Sequence, residues 1–542
     1  MSALRPCVIF CLFALSPILL PAAGGAQTAT EIAALRTRPE RTQFAETTRY
    51  DEVVAFLQAL ENASPRIHLT SFGYSFEGRP LPLAVLGAEG ASPEAVRAAG
   101  KTRVFIQANI HAGEVEGKEA MLMLLRSLAQ GEHRSWTDSL VLLIAPIYNA
   151  DGNERVSLTN RPLQHGPIGG MGQRPNAQGY DLNRDHMKLD SPEAHSLTLL
   201  MRRYDPHVAV DLHTTNGTFH GYHLTYAPPL NPNTDSAILQ HLREQWLPTV
   251  TRSIREKHGW DFYYYGNVPS RESPWAAEPG AERAWYTFDH RPRFNNNYVG
   301  LRNRFAILSE AYSYLTFEER ILATLRFVEE ILDYAAVKAG TIRRLTAEAD
   351  ARSIVGRALA VRSRPERSAQ PVEILMGEVR EERNPFSGQV MLRRLEVRRP
   401  ERMPEYGTFT PTETERAPRA YLVPPELTDV IAKLEAHGVR FTRLERAATL
   451  PVERFRIASS TQAEQPFQGH RERTLTGRYE SAQRMTIPAG TLVVPFDQPL
   501  GRLAFYLLEP RSDDGLVNWN VLGEALEGAE VYPILRTHEV VR

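Results

Sequence analysis

The sequence predicts an α/β fold, a mixed, mostly parallel sheet flanked by helices, followed by a smaller α+β domain. Four short apolar runs carry the first part: RVFIQANI (103–110), LVLLIAPIYN (140–149), HVAVDLH (207–213) and RFAILSE (304–310). Helical or irregular stretches separate them, as they separate the buried strands of a helix-covered sheet. The chain has 542 residues, 42% of them hydrophobic, enough to bury more than one core. Beyond a polar stretch near 340–370 the pattern turns to shorter strands around a single helix, which predicts a second domain.

From about residue 46 the chain places Val53, Phe56, Leu57 and Leu60 at helical spacing, and RIHLTSFGYSFEGRPLPLAVLG then alternates like paired strands. A later helix carries Ile321, Leu325, Val328 and Leu332 on one face. In the second domain EILMGEVREE, YLVPP, VRFTRL and TLVVPF read as strands. PELTDVIAKLEAHG reads as a helix with Leu427, Val430, Ile431 and Leu434 on one face and Gly438 as its stop. The segment LLEPRSDDGLVNWN reads as a turn rather than a calcium site.

The first residues, MSALRPCVIFCLFALSPILLPAAGGAQ, have Arg5, an apolar run and then small residues ending at Ala26, the layout of a secretory signal peptide. Pro17 and Pro21 interrupt the run and argue against its rival, a transmembrane helix. The expected location is therefore exported, periplasmic or secreted, with no membrane span in the mature chain. Both cysteines, Cys7 and Cys11, fall in this segment, so the mature chain carries neither thiol nor disulfide. The formal charge of −1 argues against nucleic acid or an anionic membrane as a partner. The expected layout is signal peptide 1–26, linker 27–45, catalytic domain 46–340, linker 341–370 and a strand-rich α+β domain over 371–542.

The chemistry starts at NIHAGEVEGKEA (109–120). A strand that ends on His111 delivers that side chain to the carboxyl edge of the sheet, where α/β proteins bind ligands, and Glu114 lies about one helical turn further on. Zinc in hydrolases is commonly held by two histidines and one glutamate, so a third ligand is expected elsewhere. On its own H-x-x-E is a weak signal. His213 ends its apolar run as His111 does, and His220 with His223 is a rival pair. Glu116 and Glu119, with Lys118 between them, read as a solvated helix face.

Five motifs in order, His111-Ala-Gly-Glu114, Asn149-Ala-Asp-Gly152, Asp181-Leu-Asn183-Arg184, His213 and Glu310, resemble the signature of the zinc carboxypeptidases over roughly residues 46–335. The resemblance implies one zinc ion held by His111, Glu114 and His213, and Glu310 as the base that activates the zinc-bound water. It implies that Asn183 and Arg184 grip the substrate's terminal carboxylate and that Asp181 orients a zinc-binding histidine. It also calls for an arginine facing the oxyanion, here Arg174 with Arg155 and Arg161 as alternatives, and for a tyrosine over the substrate, here Tyr298 with Tyr263 to Tyr265 competing. The sequence departs from the family pattern at Ala150, where a proline is usual, and at Asp185 and His186 after the Asn-Arg pair.

The expected activity is hydrolysis of the peptide bond next to a C-terminal carboxylate, with peptide or protein C-termini as substrate. A zinc amidase acting on peptidoglycan peptides, or a deacylase, is the alternative enzyme. A non-catalytic protein that binds C-terminal peptides is the alternative of another class. The sequence leaves oligomeric state and terminal-residue specificity open.

Overall fold

The computed structural model describes residues 32–269 and 282–541, so the expected signal peptide lies outside the described residues. Helix α1 (Tyr50–Ala63) buries Val53, Phe56, Leu57 and Leu60, the predicted face, and leads into strands β1 (His68–Tyr74) and β2 (Pro80–Leu86). There follow β3 (Thr102–Ala108), α2 (Glu116–Gln130), β4 (Leu140–Ala145), α3 (Pro192–Tyr204), β5 (Val208–Thr215), β6 (Leu224–Ala227), α4 (Leu247–His258) and β7 (Phe262–Tyr264). Helix α5 (Asn295–Leu301), β8 (Phe305–Tyr312) and α6 (Phe317–Val337) complete this part.

The strands form one eight-stranded sheet in the order β1-β2-β4-β3-β5-β8-β6-β7. The central four, β4, β3, β5 and β8, are mutually parallel, and antiparallel pairings flank them. This is the mixed sheet expected from the four apolar runs. Strand β4 is buried at every residue because helices cover both faces of the sheet centre. Helix α6 begins at a capping box in which Thr316 and Glu319 satisfy each other's backbone N–H groups, and it buries Ile321, Leu325, Val328 and Leu332. Among the described residues no helix is long and apolar enough to cross a membrane.

The expected linker over 341–370 is a misreading. Residues Ala339–Ala351 form helix α7, which buries Ile342, Thr346 and Ala349 on one face, and Ala358–Glu366 is a strand paired with Thr408–Arg416. The polar composition there is that of an amphipathic helix with a narrow apolar stripe. The second region is strand-rich α+β as expected. Its four-stranded sheet brings together Thr442–Arg443, Leu492–Pro495, Ala420–Val423 and Leu535–Thr537, accompanied by helix α8 (Thr428–His437), which stops at Gly438 with φ +81°.

This region does not stand apart from the first. A single hydrophobic core runs from Ile32 to Ile534, α8 packs on α3, and Trp285–Tyr286 pairs with Glu405–Tyr406. The later strands and the eight-stranded sheet therefore share one interior rather than meeting through a linker.

Candidate active site

The site forms at the carboxyl ends of β3, β5 and β8. Strand β3 stops at Ala108, three residues short of His111, and Asn109 then takes a left-handed conformation with φ +66° that turns the chain out of the sheet. The Asn109 amide donates to the carbonyls of Ala112 and Glu114, and the Glu114 N–H donates to the His111 carbonyl at 2.9 Å. That closed turn sets His111 and Glu114 side by side. At Gly113 a side chain would stand 2.8 Å from the Gly172 carbonyl and 2.9 Å from Arg161, so only glycine lets these loops meet.

On β5, Asp211 and His213 point to the same face because side chains alternate along a strand. In the parallel pairing of β5 with β8, His213 stands opposite Glu310. Residues 102 and 199 positions apart in the chain from His111 are thus brought to its edge of the sheet by register alone.

His111 Nδ1 lies 2.9 Å from Glu114 Oε1, and His213 Nδ1 lies 2.9 Å from Glu114 Oε2. The three ligating atoms lie within 4.8 Å of one another, and all three residues are buried. The outward ring nitrogens are held as well: His111 Nε2 is 3.0 Å from Asp181 Oδ1, and His213 Nε2 is 2.8 Å from Asp211 Oδ2. Two imidazoles and a carboxylate facing one point, each imidazole fixed from behind by a carboxylate, is a donor set that fits zinc.

Arginines surround this centre. Arg161 Nη2 is 2.5 Å from Glu114 Oε1, while Arg174 binds Asp181 Oδ2 through Nε and Nη2 at 3.0 and 2.8 Å and holds Nη1 3.8 Å from Glu114. Burial alone would raise the Glu114 carboxyl, but Arg161, His111 and His213 outweigh it and hold it well below the usual range. Burial likewise raises the Asp181 carboxyl, and His111, Arg174 and Arg184 overcome it and hold the group well below the usual range. At Glu310 burial wins over the pull of His213, and with Glu114 adding to it the carboxyl is pushed up to about 8.

These residues line a cavity of about 830 Å³ that also takes in Asn183, Arg184 and Tyr265. Arg184 lies flat on Phe294, its guanidinium carbon 3.9 Å from the ring centroid, and Asn183 accepts the Asn295 N–H at 2.9 Å. Opposite them Arg291 clamps Asp289, whose carboxyl it holds at about 2 against the effect of burial.

Tyr298 is a correction. It is only 1% exposed, on helix α5, where its hydroxyl lies 2.9 Å from His437 Nδ1 and takes a bond from Arg302, so it faces the interior and not the cavity. Its position seven residues before the buried strand β8 puts it on the helix that packs against β8 and β5. Tyr265, one of the competing tyrosines, lines the cavity instead.

His220 and His223 are ring-packing residues, stacked on Tyr312 and Trp260. The reading of Glu116, Lys118 and Glu119 as a solvated face also fails: all three are buried. Glu119 accepts from Thr47 and Thr48, Lys118 donates to the Thr48 carbonyl and to Asn153, and Glu116 faces Arg320 at 3.5 Å. The segment before α1 folds over the start of α2 and covers Lys118 and Glu119, while Thr214 and Arg320 cover Glu116.

Sequence reasoning missed Asp211, although its place two residues before His213 on one strand was a usable signal. It also missed Phe467, which reaches the cavity from the second region with no local signal at all.

Residues 53–216 match the family model described as zinc carboxypeptidase. "Carboxypeptidase 2" of Trichophyton tonsurans is 26% identical over 524 residues, covering 90% of this chain and 86% of that protein. "Carboxypeptidase D" of Mus musculus is 33% identical over 149 residues, covering 24% of this chain and 10% of that protein. Among solved structures, a metallo-carboxypeptidase from Burkholderia cenocepacia aligns with a TM-score of 0.39 and 19% identity, over 54% of this chain and 70% of that one. Its ordered motifs gather at one sheet edge, the first four of them lie inside the matched residues 53–216, and its fungal relatives align over most of its length, so the chain is similar to the zinc carboxypeptidases.

Proposed function

We propose that the protein hydrolyses the peptide bond next to a C-terminal carboxylate, using one zinc ion held by His111, Glu114 and His213. The observation that carries this reading is the convergence of the three ligating atoms beside Glu310, the register partner of His213. When bound, the zinc ion supplies a Lewis acid that polarises the scissile carbonyl and acidifies water. Every other role falls to side chains.

Glu310 takes the proton of the attacking water and later passes it to the leaving amine, a task that suits a carboxyl raised by burial. Arg174, fixed on Asp181 with Nη1 turned to Glu114, is placed to face the developing oxyanion, and Arg161 approaches the same Glu114 oxygen. Arg184 and Asn183, which line the same cavity, bind the substrate's terminal carboxylate, since a guanidinium offers two parallel hydrogen bonds in the plane of a carboxylate. Asp181 and Asp211 keep the two imidazoles oriented.

The test pairs metal content with hydrolysis of peptides carrying free or amidated C-termini. Wild type should hold one zinc and cleave only free C-termini, and His111→Ala should lose the metal. Glu310→Gln should keep the zinc and lose roughly 10²- to 10⁴-fold in kcat, the usual range for a general base. Equal cleavage of amidated peptides, or a Glu310→Gln variant with most of its activity, would defeat the reading.

A further inference from the structure

Strands β9 (Phe455–Gln462) and β10 (Arg473–Tyr479) form an antiparallel ribbon that continues past its ladder towards the active site. The Ala463 N–H donates to the Glu472 carbonyl at 2.8 Å, and Phe467 and His470 exchange both backbone bonds at 2.7 and 3.0 Å. Between them Gln468 and Gly469 have φ of +50° and +83°, the two positive values that a mirror-image hairpin turn requires. The ribbon thus ends in a defined tip, not a loose loop.

The tip is fastened to the catalytic sheet's loops. Gln468 Oε1 accepts the backbone N–H of Asp181 at 2.8 Å, and Asp181 is the residue that holds His111. His470 Nε2 is 2.6 Å from Asp190, and Glu472 accepts from Arg293 at 2.7 Å. Phe467 stacks on Trp519 with centroids 6.1 Å apart, and Arg293, itself bound to Asp514, sits beside both rings, 4.4 Å from the Trp519 centroid and 5.3 Å from that of Phe467. The second region therefore builds one wall of the cavity.

Phe467 keeps 37% of its surface exposed and lines the cavity. One side of the ring packs on Trp519 and Arg293, and what stays exposed gives the cavity an apolar face. Its place in the cavity says which part of a substrate it meets. Arg293 precedes Phe294, the ring that carries Arg184, so Phe467 borders the end where the terminal carboxylate is held.

We propose that Phe467 is a specificity-determining residue: its ring forms an apolar wall for the side chain of the substrate's C-terminal residue and favours large apolar or aromatic termini. This inference rests on the carboxypeptidase reading above.

The test compares kcat/KM of wild type, Phe467→Ala, Phe467→Leu and Phe467→Trp on two peptide series with free C-termini. In one the terminal residue runs through Gly, Ala, Leu and Phe, and in the other only the residue before it varies. Phe467→Ala should lose about tenfold on terminal Phe and Leu relative to terminal Ala, the scale of an apolar contact in a pocket. Phe467→Leu should keep most of the preference and Phe467→Trp should shift it to smaller termini, with the second series changed uniformly. Thermal unfolding of each variant shows which have folded, and Leu and Trp decide the matter should Ala fail to fold. A terminal-residue profile that the folded variants leave unchanged, or one altered only in the second series, overturns the proposal while leaving the activity standing. A wild type inactive on every free C-terminus overturns the underlying reading and this inference with it.

Discussion

Nε2 of His213 lies 2.8 Å from Oδ2 of Asp211, two residues earlier on the same strand, and the other Asp211 oxygen accepts from Gln107 on the neighbouring strand at 3.0 Å. The carboxylate is fixed by the sheet and in turn fixes the imidazole with Nδ1 towards Glu114. Asp211→Asn removes the charge while keeping the shape. It should weaken zinc binding by roughly 10- to 100-fold, the usual cost of losing a carboxylate behind a metal-binding histidine. Competition with a chelator of known affinity measures this, and an affinity equal to wild type would show that Asp211 is only structural.

Arg184 is held flat on Phe294 and donates Nη1 to the Asn183 carbonyl, so its fork is set before a substrate arrives. Arg184→Ala should cost roughly 10- to 100-fold in kcat/KM on free C-termini, in line with about 1.5–3 kcal/mol for hydrogen bonds to a charged group. The loss should fall mainly on KM, and the preference for free over amidated termini should shrink. A variant that still discriminates as wild type does would move the carboxylate grip to another cation of the cavity.

The parts of this site that were legible in the sequence are those that a local pattern determines. HVAVDLH and RFAILSE each end an apolar run on a polar residue near the carboxyl end of a buried strand, and the parallel pairing of those strands then sets His213 against Glu310. What was not legible depends on what covers a residue. Glu116 and Glu119 have the spacing of a solvated helix face, yet Thr47, Thr48 and Arg320 close over them from far along the chain. The polar run after residue 340 hides a helix because its apolar stripe is only Ile342, Thr346 and Ala349 wide. Phe467 meets the site across 287 positions between Gln468 and Asp181, a contact that no period in the sequence encodes.

Tyr298 offers a check on the assignment that the structure corrects. Its hydroxyl bonds His437 Nδ1 at 2.9 Å and receives Arg302 at 3.2 Å, which ties α5 to the end of α8. Tyr298→Phe should therefore lower stability by about 1–3 kcal/mol, because a buried partner is left unpaired. The kcat on free C-termini should stay within about twofold of wild type, since loss of a buried hydroxyl outside the cavity removes no transition-state contact. Urea unfolding and steady-state kinetics on the same preparation decide it, and a large fall in kcat with stability unchanged would return Tyr298 to the mechanism.

Glu509 gives a prediction about pH. Its Oε2 accepts from the Tyr421 hydroxyl at 2.6 Å and the Tyr479 hydroxyl at 3.2 Å deep in the second region. Burial, opposed by the Tyr421 bond and the nearby arginines, pushes the carboxyl up to about 7 from an ordinary 4.5. A raised folded value means that the folded state prefers the proton. Below about pH 4.5 both states carry it and nothing is lost. Between there and about 7 the unfolded chain ionises first, so this group lowers stability as pH rises, and above that the loss is constant at about 3 kcal/mol. Glu509→Gln carries no such charge in either state. Urea midpoints across pH 5 to 8 should show the variant gaining on wild type as pH rises, and a constant difference between the two would mean that Glu509 is ionised within the fold.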